Sequence, residues 1–263
     1  MSWFYDTPVW ITMPLFVGGF VVASCLVVWA MKPVVRRLVR DRDEWDRTLA
    51  HVIGTFGLFF GILLALVTVS VYENYAATRA VTVTEAGEVG ALVRASTALP
   101  DEIGSPIRDE LQAYLITVIE GDFVEQREGV LPDGSRAQVD AIEEILHGVE
   151  AVTGSEQAEY KQALEAFEAF FDARRDRIDA TALALPSLIW VVIWVGAAVN
   201  AILIAFISVR SLRLHLLLAG LLAVFIGLVI FTTADMDRPY AGNVSVNAGA
   251  YERLYEQVFG PRG

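Results

Sequence analysis

Cysteine occurs once in the 263 residues, at Cys25 inside an apolar run. That excludes an intrachain disulfide framework and a cysteine-rich zinc site. Basic residues are also few, 20 Lys and Arg against 32 Asp and Glu for a net charge of -12, and this argues against nucleic-acid binding, which needs clustered cations to neutralise phosphates. The three histidines, His51, His147 and His215, are scattered. No H-E-x-x-H, G-x-S-x-G or G-x-x-x-x-G-K-[ST] occurs. Glu144-x-x-His147 has the spacing of a di-iron ligand pair, but such centres use two of these motifs and two further glutamates. The pair therefore reads as surface helix, and no enzyme is expected.

What is abundant is apolar: 55% of residues, against 20% charged, with a mean hydropathy of +0.49. Four stretches lack Asp, Glu, Lys and Arg for long enough to cross a hydrocarbon core, which takes about 20 residues. They are Thr7 to Met31, Thr48 to Tyr72, Ala180 to Val209 and Leu214 to Ala234. His51 and His215 are the titratable residues within them, each near a basic end where a side chain can reach the interface. All six tryptophans, Trp3, Trp10, Trp29, Trp45, Trp190 and Trp194, lie in or beside the first three stretches, as headgroup anchors do. The tail before the first stretch carries Asp6 and no Lys or Arg, the reverse of a signal-peptide n-region, so that helix is expected to remain. The expectation is an all-α, multi-pass protein of a bacterial inner membrane with four transmembrane helices.

The organisation expected is residues 1–72 for spans one and two with their basic loop, 73–180 for a helical extramembrane domain inserted between spans two and three, 181–234 for spans three and four, and 235–263 for a C-terminal tail. Segment 73–180 holds 23 Asp and Glu against 9 Lys and Arg. Its apolar residues recur at helical spacing: Leu111, Tyr114, Leu115, Val118 and Ile119; Ile142, Ile145, Leu146 and Val149; Leu164, Phe167, Phe170 and Phe171. Breaks at Pro100, at Leu131 to Ser135 and at Gly154 divide it into four helices, the first continuing span two. The short loops carrying Lys32, Arg36, Arg37, Arg40, Arg42 and Arg47, and Arg210 and Arg213, are basic. The positive-inside bias puts them in the cytoplasm and the acidic domain on the other side, although Arg174, Arg175 and Arg177 beside span three point the opposite way.

Within span two, Gly57, Gly61 and Ala65 form a small-residue ridge that lets a helix approach closely. Val52, Phe56 and Phe60 form a separate stripe of larger groups, either helix packing or a hydrophobic constriction that gates by dewetting. Asn200, near the middle of span three, is either an interhelical hydrogen-bonding amide or part of an ion or ligand path. Glu73 and Asn74 close span two, and Asp235 and Asp237 close span four. These carboxylates are either solvated helix ends or a cation-attracting ring or calcium site.

TFGLFF (Thr55 to Phe60) followed by VYENY (Val71 to Tyr75), DMDRPYAG (Asp235 to Gly242), Glu85-Ala86 and RRDRIDATALALP (Arg174 to Pro186) resemble the bacterial branch of the bestrophin-like membrane proteins. The resemblance implies a pentameric, ligand- or calcium-modulated ion channel lined by span two. It maps Val52, Phe56 and Phe60 onto three neck positions, and Asp235 and Asp237 onto part of a calcium clasp. It also implies that the inserted domain is cytoplasmic, against the basic loops. With an acidic vestibule, cations are the expected permeant ions. The implied partners are membrane lipids, inorganic ions and further copies of the chain. The alternative is a non-conducting membrane scaffold that binds a lipid or a partner protein through its helical domain.

Overall fold

Runs of apolar residues unbroken by charge become long helices in a computed structural model, which describes residues 7–38, 42–149, 154–207, 209 and 211–261. Trp3, Asp6, Arg40 and Arg210 lie outside the described residues. The helices are α1 (Val9–Leu38), α2 (Arg42–Ala98), α3 (Asp101–Thr117), α4 (Phe123–Glu128), α5 (Arg136–His147), α6 (Gly154–Asp179), α7 (Ser187–Ala205), α8 (Leu212–Met236) and α9 (Gly249–Phe259). A π turn, Val118–Asp122, joins α3 to α4. There is no strand among the described residues, and four helices are long and apolar enough to cross a membrane.

The chain divides into two compact units. One comprises Met1–Glu73 and Ala184–Asp237, the other Asn74–Leu183 and Arg238–Gly263. The C-terminal residues, expected as a separate tail, thus group with the acidic unit, and they carry α9, which the sequence reading did not anticipate.

In the apolar unit α1 packs along α8 and α7. Phe60, Leu64 and Val67 of α2 meet Ile193 and Ala197 of α7 and Ile226 and Ile230 of α8. Polar groups are fastened singly. Thr68 and Thr233 pair at 3.0 Å, and the Trp45 indole donates to the Phe206 carbonyl at 3.3 Å. His215 does not extend towards the interface as expected. It is buried, with Nε2 2.9 Å from the Ile204 carbonyl at the end of α7, a carbonyl that also accepts from the Ile207 N–H at 3.0 Å.

In the acidic unit α2 stops where Leu99-Pro100 cannot continue it. Asp101 and Glu102 sit in the first turn of α3, where negative charge suits the helix dipole. The corner is tight, since a Cβ at Gly104 would run into the Ser96 carbonyl, and Arg108 donates to that same carbonyl at 3.1 Å. The predicted apolar positions Leu111, Tyr114, Leu115, Val118, Ile142, Leu146, Phe167 and Phe170 lie in one core, joined by Tyr251 and Tyr255 of α9. Phe171, expected with them, is exposed.

Candidate functional site

The span-two stripe does not lie on one surface. Val52 is 46% exposed and Phe60 only 7%, with Phe56 intermediate. The Phe56 and Phe60 rings stack with centroids 5.6 Å apart. Phe60 lies so close to Gly196 of α7 that a Cβ there would overlap the ring. Phe60 is therefore part of the interior of the chain's own apolar unit.

The small-residue ridge is open. A Cβ at Gly57 or Gly61 would meet nothing within 4 Å, and Ala65 is exposed. The same side of α2 carries Leu58, Ile62, Leu66 and Val69, all exposed, because residues three and four apart share a helix face. Among the described residues no helix covers that face. Glu73, exposed, and Asn74, half-buried, fall at the boundary between the two units, and the Asn74 carbonyl accepts from Thr78 Oγ1 at 2.9 Å.

Asn200 is half-buried and lines a small cavity among α1, α7 and α8 together with Ser24 and Phe20. It sits among α1, α7 and α8, and no residue of α2 lines that cavity. Asp235 is buried. Asp237 accepts from the Leu185 N–H at 2.7 Å through Oδ1 and from the Trp190 indole at 3.0 Å through Oδ2. Both of its oxygens therefore hold the entry to α7. Calcium takes six to eight oxygen ligands, and no group of three or more His, Cys, Asp or Glu suited to a metal gathers among the described residues. These residues do not fit a calcium clasp. Glu144 and His147 lie on the surface, where His147 is 3.9 Å from Glu143.

The largest concentration of polar chemistry lies in the acidic unit. Arg177 has no exposed side-chain surface. Its Nε is 2.6 Å from Glu85 Oε2 and its Nη2 2.9 Å from Asp122 Oδ2. Nη1 donates to Gln126 Oε1 at 2.8 Å, and the guanidinium carbon lies about 6 Å from the centroids of the Phe123 and Tyr251 rings. Tyr114 donates to Glu85. Ser135 donates to Asp122 Oδ2 at 2.7 Å and accepts from Arg174 at 3.2 Å. Tyr240 donates to the Arg177 carbonyl at 3.2 Å.

The π turn presents Asp122 to this network. Val118 and Asp122 of this turn are both buried, and Asp122 thus puts a carboxylate on the face that α3 otherwise fills with Ile107, Leu111 and Leu115. Burial, then the Glu85 charge, raise the hydroxyls of Tyr114 and Tyr251 well above the ordinary tyrosine range, and burial raises Tyr240. They stay protonated. Burial works against the charge on Arg177, but Glu85 leads the neighbours that hold it, and the net effect is a raised pKa. The cluster is a buried clamp binding α2, the π turn, α4 and α6.

The sequence reading treated Arg177 as a membrane-flanking cation, and it missed Asp122, Gln126 and Tyr251 altogether. The heptad-like spacing of Tyr251, Leu254, Tyr255 and Phe259 could have revealed α9, and with it Tyr251. Nothing local signals the pairing of Glu85 with Arg177, 92 residues apart.

A family model described as Bestrophin-like domain matches residues 18–251. No curated protein and no solved structure matches the chain.

Proposed function

The chain belongs to the bestrophin-like family, and we propose that this multi-pass membrane protein is a homo-oligomeric ion channel of the bacterial inner membrane, with α2 lining a central axis and cations as the permeant ions. The observation that carries the reading is the open face of α2. Gly57 and Gly61 stand in free space beside exposed Leu58, Ile62, Leu66 and Val69, and small residues on a span favour close approach by another helix. A ring of subunits, a pentamer by the family resemblance, would cover that face and define an axis.

By the family resemblance Val52, Phe56 and Phe60 would form a dewetting neck. Phe60 is engaged with Gly196 within the chain, so exposed Val52 and half-buried Phe56 are the members of the stripe left for such a neck. Glu73 and Asn74 would stand at one mouth, and the acidic segment 73–180 would concentrate cations there.

The test is ion flux in liposomes together with a particle-averaged image of the purified protein. A ring with α2 innermost, passing potassium better than chloride, is expected, with larger currents from Val52→Ala plus Phe56→Ala than from Phe225→Ala on α8. A monomer or dimer that passes no ion at any voltage would replace the channel by the scaffold. Sidedness is read separately in a Cys25→Ser background, where Asp133→Cys labelled by an impermeant thiol reagent in intact cells would put the acidic unit outside, as the basic loops imply. Protection would put it in the cytoplasm, as the family does.

A further inference from the structure

The acidic unit contains a cleft of about 320 Å³ whose lining includes no carboxylate, between α2 and the segment that leads into α9. Arg79 of α2 and Arg253 of α9 both line it, with Ser245, Asn247 and Ala250. Among the described residues neither arginine has an acidic side chain within ion-pair distance, although Arg108, Arg136, Lys161, Arg175 and Arg177 of the same unit all do. Arg94, Arg127 and Arg174 likewise have no ion pair among the described residues; what sets Arg79 and Arg253 apart is that the two share one cleft, in a unit whose segment 73–180 holds 23 acids against 9 bases.

The start of α9 adds to the positive potential. The Gly249 N–H is taken up by Asn247 Oδ1 at 3.1 Å, and those of Tyr251 and Glu252 by the Ala248 carbonyl. The Ala250 N–H has no acceptor among the described residues, and Ala250 lines the cleft. Arg253 lies back over this turn, with Nη1 3.4 Å from where a Gly249 Cβ would be. An anion in the cleft would meet two forked cations, the Ser245 hydroxyl and the amide end of a helix dipole, which together suit a multi-oxygen anion.

We propose that the cleft between Arg79 and Arg253 binds a phosphate group. The phosphate has two sources, a soluble phosphate compound or the headgroup of an anionic phospholipid, and the site stands whether or not the protein conducts. The full-length protein in neutral detergent is titrated by calorimetry at constant ionic strength with inorganic pyrophosphate and, separately, with dioctanoyl phosphatidylglycerol. The same titrations are run on Arg79→Gln, Arg253→Gln and the double variant. Both side chains are exposed, so the variants are expected to melt as wild type does, and a melting curve checks this.

Saturable binding of at least one probe by wild type, weakened about tenfold or more in either single variant, is the expected result. Pyrophosphate alone would identify a soluble ligand, and phosphatidylglycerol alone a lipid. Binding of neither probe by wild type, or equal binding by wild type and the double variant, would overturn the proposal.

Discussion

Arg177 in the acidic unit is surrounded by Glu85, Asp122, Gln126 and two aromatic rings with no access to solvent, whereas the apolar unit holds its polar groups in isolated pairs such as Thr68 with Thr233. The acidic unit fills its centre from four directions and leaves little of it uncovered. The apolar unit leaves a whole face of α2 bare. Water can solvate the outside of the first, so its specificity has to come from within. The second is surrounded by lipid, where an exposed leucine costs nothing and a contact with another copy can come from shape alone.

The sharpest way to break this contrast is Arg177→Met. It leaves Glu85 and Asp122 buried without a cation, and breaking a buried pair costs about 3–5 kcal/mol. Limited proteolysis should cut within 74–183 while the apolar spans stay protected. Equal protection in the variant would show that the clamp contributes little.

Next in size are the two close approaches. Gly104→Ala drives a methyl into the Ser96 carbonyl, which is backbone and cannot move aside, while Gly196→Ala meets the Phe60 ring, which can turn. Overpacking costs about 1–3 kcal/mol. Thermal melting should place Gly104→Ala at the upper end of that range and Gly196→Ala below it. The reverse order would mean that the apolar unit is the more rigid of the two.

The pH dependence is smaller and confined to one unit. Tyr114, Tyr240 and Tyr251 have raised folded-state pKa values. Their contribution is therefore fully present below the unfolded value of about 10 and is lost as pH rises beyond it towards the folded values. Denaturant melts should be insensitive to these groups from neutrality to about pH 10 and then fall, and Tyr114→Phe should flatten the fall. The smallest effect expected is at Thr68 and Thr233, where a double-mutant cycle with valine should give a coupling of about 0.6 kcal/mol, as for other hydrogen bonds between spans.

Much of this architecture was legible in the sequence. A run such as Thr48 to Tyr72 has to be a helix in lipid because its backbone groups have no other partners there. Leu111, Tyr114 and Leu115 announce a buried face by their spacing alone. What was not legible shares one cause: its partners are far apart along the chain. Asp237 reads as a calcium ligand until Leu185 and Trp190 arrive from 52 and 47 residues away to occupy it. Phe60 reads as a pore residue by its register until Gly196 admits its ring. Arg177 reads as a topology signal until the fold closes over it.

Because a π turn holds one more residue than an α turn needs, the stretch Val118–Asp122 gives this chain a place where its reading frame of faces is reset. A one-residue deletion at Gly121 would let the backbone relax into continuous α-helix from Asp101 to Glu128, and because the wide turn already absorbs the extra residue, Phe123 and Gln126 would keep roughly the faces on which they meet Tyr251 and Arg177. The same deletion within α3, where every turn is already α, would instead rotate all that follows by about 100°. The π turn is therefore the one place in this stretch where the chain can lose a residue without exchanging its interior for its surface.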